Sequence, residues 1–364
     1  MKFVKRGLII ALALTSVGTG CFGQIARDSK PSVFSASAAG GFASRETQVK
    51  GPLHHYTFLI GTQYNENNLY GYYGAGGYYP SLGLVAGIYH YNKAVFPGGT
   101  PYSNHYSLSL HYEQTFWSSG KWSSNWFLEE GFGYTQDCYN PERNPESTYG
   151  GHFHIAFRAA AYISYNVSDH WRLSFGPSYS HHSNSKTHFI NTGCDAVSAE
   201  LSVTYLCEPI KKNTEKVSLD SMGVRKKYWD FHYGACLTGT AMDDVNMSSY
   251  ISHKASIAHL WRTHRKFAFG VGADAFFDKG GNEGRNAFGI SGAVDYYLTR
   301  NLLFSGRVGA YLNGSADNTS PIYETVGLNY TMDGSKWFIP YLGIYTKANA
   351  GKAEHLEFVI GFRL

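Results

Sequence analysis

The feature that most constrains this chain is a period-two alternation of apolar and polar residues, repeated through segment after segment of strand length. In 301–312, Leu302, Phe304, Val308, Ala310 and Leu312 fall on one face, and Asn301, Ser305, Arg307 and Gly309 on the other. Successive side chains of a strand point to opposite faces, so this pattern is a strand with one apolar and one polar side. Comparable segments lie near 82–92, 104–116, 125–135, 151–165, 170–183, 195–206, 228–239, 250–261, 265–277, 286–298, 301–312, 321–331, 336–346 and 354–364. Leu53–Tyr64 is a further candidate, left unpaired or joined to a strand within 32–45.

Two architectures alternate in this way, a secreted β-sandwich and a membrane β-barrel. Composition and the chain start favour the barrel. The sequence opens Met1-Lys2-Phe3-Val4-Lys5-Arg6, runs apolar from Gly7 to Val17, and continues in small residues to Gly23. A basic start, a short apolar core and small residues at the cut describe a secretory signal. Cys21 invites a lipid anchor, but Gly18 stands where such a motif has a large aliphatic residue. Beyond this start no apolar run is long enough to cross a bilayer as a helix. With 29 Tyr, 23 Phe and 7 Trp the chain is 16% aromatic, and it has 41 Gly. Outer-membrane barrels carry aromatic girdles, short turns on the periplasmic side and longer loops outside. From residue 136 onward tight connectors (166–169, 299–300, 333–335) alternate with longer polar ones. The exception is the charged stretch 207–227.

The expected fold is therefore an all-β antiparallel transmembrane barrel of about fourteen strands. The alternative is an eight-stranded N-terminal half followed by a second barrel-like half. The expected organisation is a signal peptide at 1–23, a flexible leader at 24–52, and a barrel portion carrying the site at 53–206. A charged connector at 207–227 and C-terminal barrel strands at 228–364 complete it. Without the three basic residues of the signal, 28 Lys+Arg face 27 Asp+Glu, and this near-neutral balance gives no argument for a nucleic-acid partner. The mature cysteines, Cys138, Cys194, Cys207 and Cys236, show no zinc spacing. Cys138 and Cys194 both fall in outer loops, where they are close enough in the topology to pair; Cys207 and Cys236 fall on opposite faces.

One hairpin, Ser178–Tyr205, carries a set of residues with chemistry. Strand 170–183 places Trp171, Leu173, Phe175, Pro177, Tyr179, His181 and Ser183 on one face, and His170, Arg172, Ser174, Ser178, Ser180 and His182 on the other. The returning strand opens with Asp195, in phase with Val197, Leu201 and Val203. In a barrel the apolar face meets lipid, so His181, Ser183 and Asp195 are expected on the membrane side at the outer end of the strands. Polar groups there call for a functional explanation. A serine attacking an ester needs a base, an acid that orients the base, and donors for the oxyanion. Ser183, His181 and Asp195 fill the first three roles, and Asn184, Asn191 and Gly193 are candidates for the fourth. Because His181 and His182 point to opposite faces, His181, His182 and His188 make a poor shared metal site. His152 and His154 are expected on the polar face of their strand, and Lys186 in a solvated loop.

The string His181-x-Ser183-Asn184 followed by Asp195 resembles the signature of the lipid A 3-O-deacylase and acyloxyacyl hydrolase family of outer-membrane barrels. The resemblance covers roughly residues 80–206. It implies Ser183 as nucleophile, His181 as general base and Asp195 as orienting acid, on the outer face of the barrel, with no metal and no cofactor. The implied substrate is lipid A of lipopolysaccharide, surrounded by outer-membrane lipid, and the implied location is the outer membrane of a Gram-negative bacterium. Two departures stand out: Asp195 replaces the family's usual Glu, and the chain is about twice the length of the small eight-stranded members. The second half has no His-x-Ser-Asn; its strand 301–312 ends Tyr311-Leu312-Asn313-Gly314. The competing functions are a non-catalytic barrel of porin or adhesion type and a phospholipid acyl hydrolase. Acyl position and oligomeric state are not encoded in these motifs.

Overall fold

A computed structural model describes residues 32–45, 48–63, 80–92, 102–136, 138, 142, 150–184, 193–209, 219, 224–241, 247–278, 285–299, 301–313, 320–332, 337–350 and 352–364. The signal segment, Lys186, His188 and Asn191 lie outside the described residues.

The chain divides into two compact units, and each holds one closed barrel of eight antiparallel strands. The first barrel consists of β1 (Val33–Arg45), β2 (Gln48–Gln63), β3 (Ser81–Asn92), β4 (Tyr102–Ser119), β5 (Trp122–Thr135), β6 (Phe153–Asn166), β7 (Trp171–Ser183) and β8 (Cys194–Leu206). The second consists of β9 (Lys227–Ala241), β10 (Met247–Arg262), β11 (Phe267–Asp278), β12 (Arg285–Tyr297), β13 (Leu302–Tyr311), β14 (Ile322–Thr331), β15 (Ile339–Asn349) and β16 (Lys352–Arg363). Each strand pairs with its sequence neighbours. β1 closes on β8, with Val33 opposite Leu206, and β9 closes on β16, with Phe231 opposite Phe362.

The count of about fourteen strands in one sheet is corrected to sixteen in two sheets, the two-half alternative. The two strands outside that count are β2, the Leu53–Tyr64 candidate, and its partner within 32–45, β1, inside the segment expected to be a flexible leader. Its outward positions include Ala36, Ala38 and Gly40, so its alternation is faint. A packing reason holds at one inward position. A Cβ on Gly41 would stand 2.1 Å from the Val197 carbonyl oxygen across the β1–β8 seam. The other difference is the connector expected at 347–353, where β15 passes into β16 with only residues 350–351 between them. Ala350 takes φ 47° in that turn.

Both barrels are inside-out relative to a soluble domain. In β7 the outward Trp171, Leu173, Phe175 and Tyr179 are exposed, while the inward Arg172, Ser174, Ser178, Ser180 and His182 are buried. An apolar exterior with a polar interior is what a bilayer selects, since lipid takes up the apolar face and the closed ladder satisfies every strand. Eight strands leave a lumen just wide enough for side chains. In the first barrel Arg158 fills it, giving Nε and Nη2 to Glu129 (2.6 and 2.7 Å) and Nη1 to Glu200 (2.5 Å). His111 Nδ1 also meets Glu129, at 2.7 Å. In the second, Arg363 bonds Asp230 (3.1 Å) and Asp295 (2.9 Å), and Arg307 reaches Asp230 (3.1 Å). Among the described residues each lumen is thus occupied by paired charges, which is a packed core rather than a pore.

The tight turns 120–121 and 167–170 mark one end of the first barrel. Exposed Trp117, Trp122 and Trp171 gather there, with Trp171 against Tyr205 at 5.0 Å between ring centroids. This is a girdle of the kind found at a membrane interface. His181 lies ten residues further along β7. At roughly 3.3 Å per residue and a tilt of about 40°, that is about 25 Å along the barrel axis, the height of a typical apolar band.

Candidate active site

The β7–β8 ladder sets the site. Tyr179 pairs with Val197, and His181 stands directly opposite Asp195. Directly opposed side chains have Cβ atoms roughly 4.5–5.5 Å apart, so a short carboxylate can reach an imidazole. His181 Nδ1 and Asp195 Oδ1 are 2.7 Å apart. The Tyr179 hydroxyl donates to the same Asp195 oxygen at 2.5 Å. The pair is half-open to the outside: the His181 side chain is 28% exposed and that of Asp195 45%. With Nδ1 engaged by the carboxylate, Nε2 is the ring nitrogen free to exchange a proton with a neighbour, the tautomer that a base-orienting acid selects.

Ser183 follows two residues on, in phase with His181 by the alternation and opposite Ile155 of β6. It is only 6% exposed, and the start of the returning strand passes close by it. Gly193 leads that return with φ +64°, a left-handed conformation in which a side chain is strained. A Cβ on Gly193 would lie 3.3 Å from His181 Cε1 and 3.7 Å from Ser183 Cβ. Gly193 is therefore the point where backbone closes on both side chains. Among the described residues no hydrogen bond joins Ser183 to His181. Such bonds are commonly long before substrate binds. Asn184 is buried beside the serine.

Of the sequence-derived candidates, the structure brings His181 and Asp195 into contact and sets Ser183, Asn184 and Gly193 around them. Two residues were missed in role. Tyr179 was placed on the right face but given no function, although the i, i+2 step to His181 is its signal. Gly193 was considered only as a backbone donor. His152 is corrected: it precedes β6, lies exposed against the Tyr134 ring (5.6 Å) and bonds the Thr135 carbonyl through Nδ1 (2.9 Å). His154 alone of that pair faces the lumen. Cys138, Cys194, Cys207 and Cys236 are all thiols, so Cys138 and Cys194 are not joined; Cys194 is buried on the lumen side, opposite His182.

Two substitutions probe this geometry. Tyr179→Phe removes a hydrogen bond to a charged acceptor, normally about 1.5–3 kcal/mol; discounted for the half-exposed setting, kcat in a fatty-acid release assay is expected to fall about tenfold. An unchanged kcat would show that the phenol does not hold Asp195. Gly193→Ala forces a side chain into left-handed backbone at about 1–2 kcal/mol and presses on His181. Activity is expected to drop at least about tenfold, with heat-modifiable migration of the barrel retained; full activity would show that the return does not clamp the site.

Fold and site together define a class: a membrane-type β-barrel with a half-exposed histidine–aspartate pair at one end of β7 and β8 and a buried serine two residues on. The family follows from the comparisons. Residues 56–204 match the family model for lipid A 3-O-deacylase, and residues 227–364 match that for the acyloxyacyl hydrolase C-terminal domain. The two matches follow the two barrels and together span most of the sequence, and the chain belongs to this lipid A 3-O-deacylase family. Among solved structures, the outer membrane enzyme PagL is 14% identical, covering 46% of this chain and 97% of its own, with a TM-score of 0.34. Neisserial surface protein A is 15% identical over 47% of this chain and 95% of its own, with a TM-score of 0.31. No curated protein matches the chain.

Proposed function

We propose that the first barrel hydrolyses an ester-linked acyl chain of lipid A, with Ser183 as nucleophile, His181 as general base and Asp195 as the residue that orients the base. The observation that carries this reading is the 2.7 Å contact of His181 Nδ1 with Asp195, on the outward rim two residues from Ser183. Membership in the lipid A 3-O-deacylase family supports the substrate class. The rim position supports it too: a substrate anchored by its acyl chains in the outer leaflet presents its ester bonds at this height and from this side.

In the proposed reaction Ser183 Oγ attacks the ester carbonyl while its proton passes to His181 Nε2. Asp195 stabilises the imidazolium that forms, and Tyr179 holds the carboxylate in place. The tetrahedral oxyanion is met by donors from Asn184 and the backbone around Gly193. The sugar oxygen leaves with the proton from His181, and the acyl group stays on Ser183. Water then attacks the acyl-enzyme, giving its proton to His181, and the fatty acid is released as Ser183 Oγ recovers a proton. No step requires a metal or a cofactor.

The packed lumens argue against a porin. The remaining choice, lipid A or an ordinary phospholipid, is tested by incubating the purified barrel in detergent micelles with lipopolysaccharide and, separately, with phosphatidylethanolamine. Fatty acid is expected from the first and not from the second. Faster release from the phospholipid would replace the substrate, and release from neither, by a folded protein, would overturn the enzymatic reading.

A further inference from the structure

The face of β7 opposite the catalytic groups carries a second constellation. His182 lies between His181 and Ser183 in sequence, but its ring points into the lumen, where it meets His154 of β6 and His105 of β4. One ring nitrogen from each of the three lies within 4.8 Å of the other two. All three residues are buried. His154 Nε2 and His182 Nδ1 are 2.9 Å apart, one donating to the other. The ring centroids of His105 stand 5.2 Å from His154 and 5.8 Å from His182.

The wall around the cluster is shaped to let these rings converge. β4 and β6 are not neighbours; β5 runs between them. The β5 residue opposite His154 is Gly133. A Cβ there would stand 2.0 Å from His154 Nε2. Only glycine lets the imidazole lie across β5 towards His105. The opposite side is closed by aromatic rings, Tyr89 edge-on to His182 at 4.6 Å and Tyr91 against His105 at 4.6 Å. Among the described residues Glu129 and Glu200 bond Arg158, His111 and Ser37.

We propose that His105, His154 and His182 form a binding site for one divalent transition-metal ion, zinc in the first instance. Three buried imidazoles are a borderline-soft nitrogen donor set, which suits zinc rather than calcium or magnesium, ions that take oxygen ligands. At Zn–N distances of about 2.0–2.1 Å, tetrahedral ligand atoms lie about 3.3 Å apart. The longest edge of the cluster has to close by about 1.5 Å at most, within reach of ring rotation. The fourth position is left for water. The ion would tie β4, β6 and β7 together directly behind the strand that presents His181 and Ser183. Its role is positional, and the inference is independent of what the outward site hydrolyses.

The test uses the full chain, purified in detergent without a histidine tag, stripped with a chelator and titrated with zinc against a chromophoric competitor. The expected result is one zinc per chain with a dissociation constant of about 1 μM or tighter, in the range of protein-held structural zinc. His105→Gln and His154→Gln each weaken binding at least about tenfold, their combination removes it, and His253→Gln in the second barrel leaves it unchanged. Wild-type protein with heat-modifiable migration that binds no zinc at one equivalent, or a double variant that still binds it tightly, would overturn the proposal. A variant that fails to fold does not block the test. X-ray absorption at the zinc edge of the wild type is expected to show a first shell of nitrogen and oxygen at about 2.0–2.1 Å with an imidazole multiple-scattering signature. Sulfur in the first shell, or a shell without imidazole, would refute the three-histidine assignment.

Discussion

Ser183→Ala is expected to lower kcat/KM for acyl-chain release by about 10⁴-fold or more while leaving the barrel folded. Loss of the nucleophile from a serine–histidine–carboxylate set removes nearly all covalent catalysis, and what remains comes from binding and oxyanion donors. Ser183 is the last residue of β7, and an alanine there keeps the backbone ladder with Ile155 of β6. Folding is checked by heat-modifiable migration and activity by fatty-acid release under single-turnover conditions. A loss below about tenfold would move the nucleophile elsewhere. His181→Ala is expected to match Ser183→Ala, and the double variant to be no worse than either single one, because residues that act as one unit are not additive.

The second large effect is on stability. Arg158→Met is expected to destabilise the first barrel by about 3–5 kcal/mol, since it leaves the buried carboxylates of Glu129 and Glu200 without their cation. Arg158 itself is 3% exposed and makes hydrogen bonds to both. The measurement is the urea midpoint for unfolding from micelles, followed by tryptophan fluorescence. Adding Glu129→Gln and Glu200→Gln to Arg158→Met is expected to recover part of the loss, because the buried charge goes with its partner. A midpoint unchanged in Arg158→Met would show that water reaches the lumen and screens the carboxylates. The two predictions are separable: one abolishes activity with a stable barrel, the other lowers stability without touching the reacting groups.

Much of this was legible in the sequence because the strand period is two. The phase of 170–183 alone put Trp171, Tyr179 and His181 on one face and His182 on the other, as found; Ser183, expected with the first group, is buried. The spacing from Ser183 to Asp195 was enough to suggest a hairpin contact, and the observed register sets Asp195 directly opposite His181. That register also explains how Asp serves where relatives are expected to carry Glu: opposed across a ladder, a shorter side chain suffices. β1 was legible only as an alternative partner for Leu53–Tyr64, because Ala36, Ala38 and Gly40 on its outward face blur the alternation. The depth of Ser183 and the part played by Tyr179 were hidden as well. The first is a tertiary property that the alternation does not encode, and the second depends on which hydroxyl finds the carboxylate. The histidine cluster was invisible for a different reason. His105, His154 and His182 are far apart in sequence, and only closure of the barrel brings them together across the glycine at 133.

The central claim is that Ser183, on the outward rim of the first barrel, carries out deacylation of lipid A in the membrane. It is tested most directly by mass spectrometry of lipid A from Gram-negative cells expressing the wild type, Ser183→Ala or neither, with equal amounts of folded barrel in the outer membrane. The account predicts lipid A lighter by one acyl chain in cells with the wild type, and lipid A in Ser183→Ala cells identical to that of cells with neither. Unmodified lipid A in the wild-type cells, or loss of the acyl chain in Ser183→Ala cells, would contradict it.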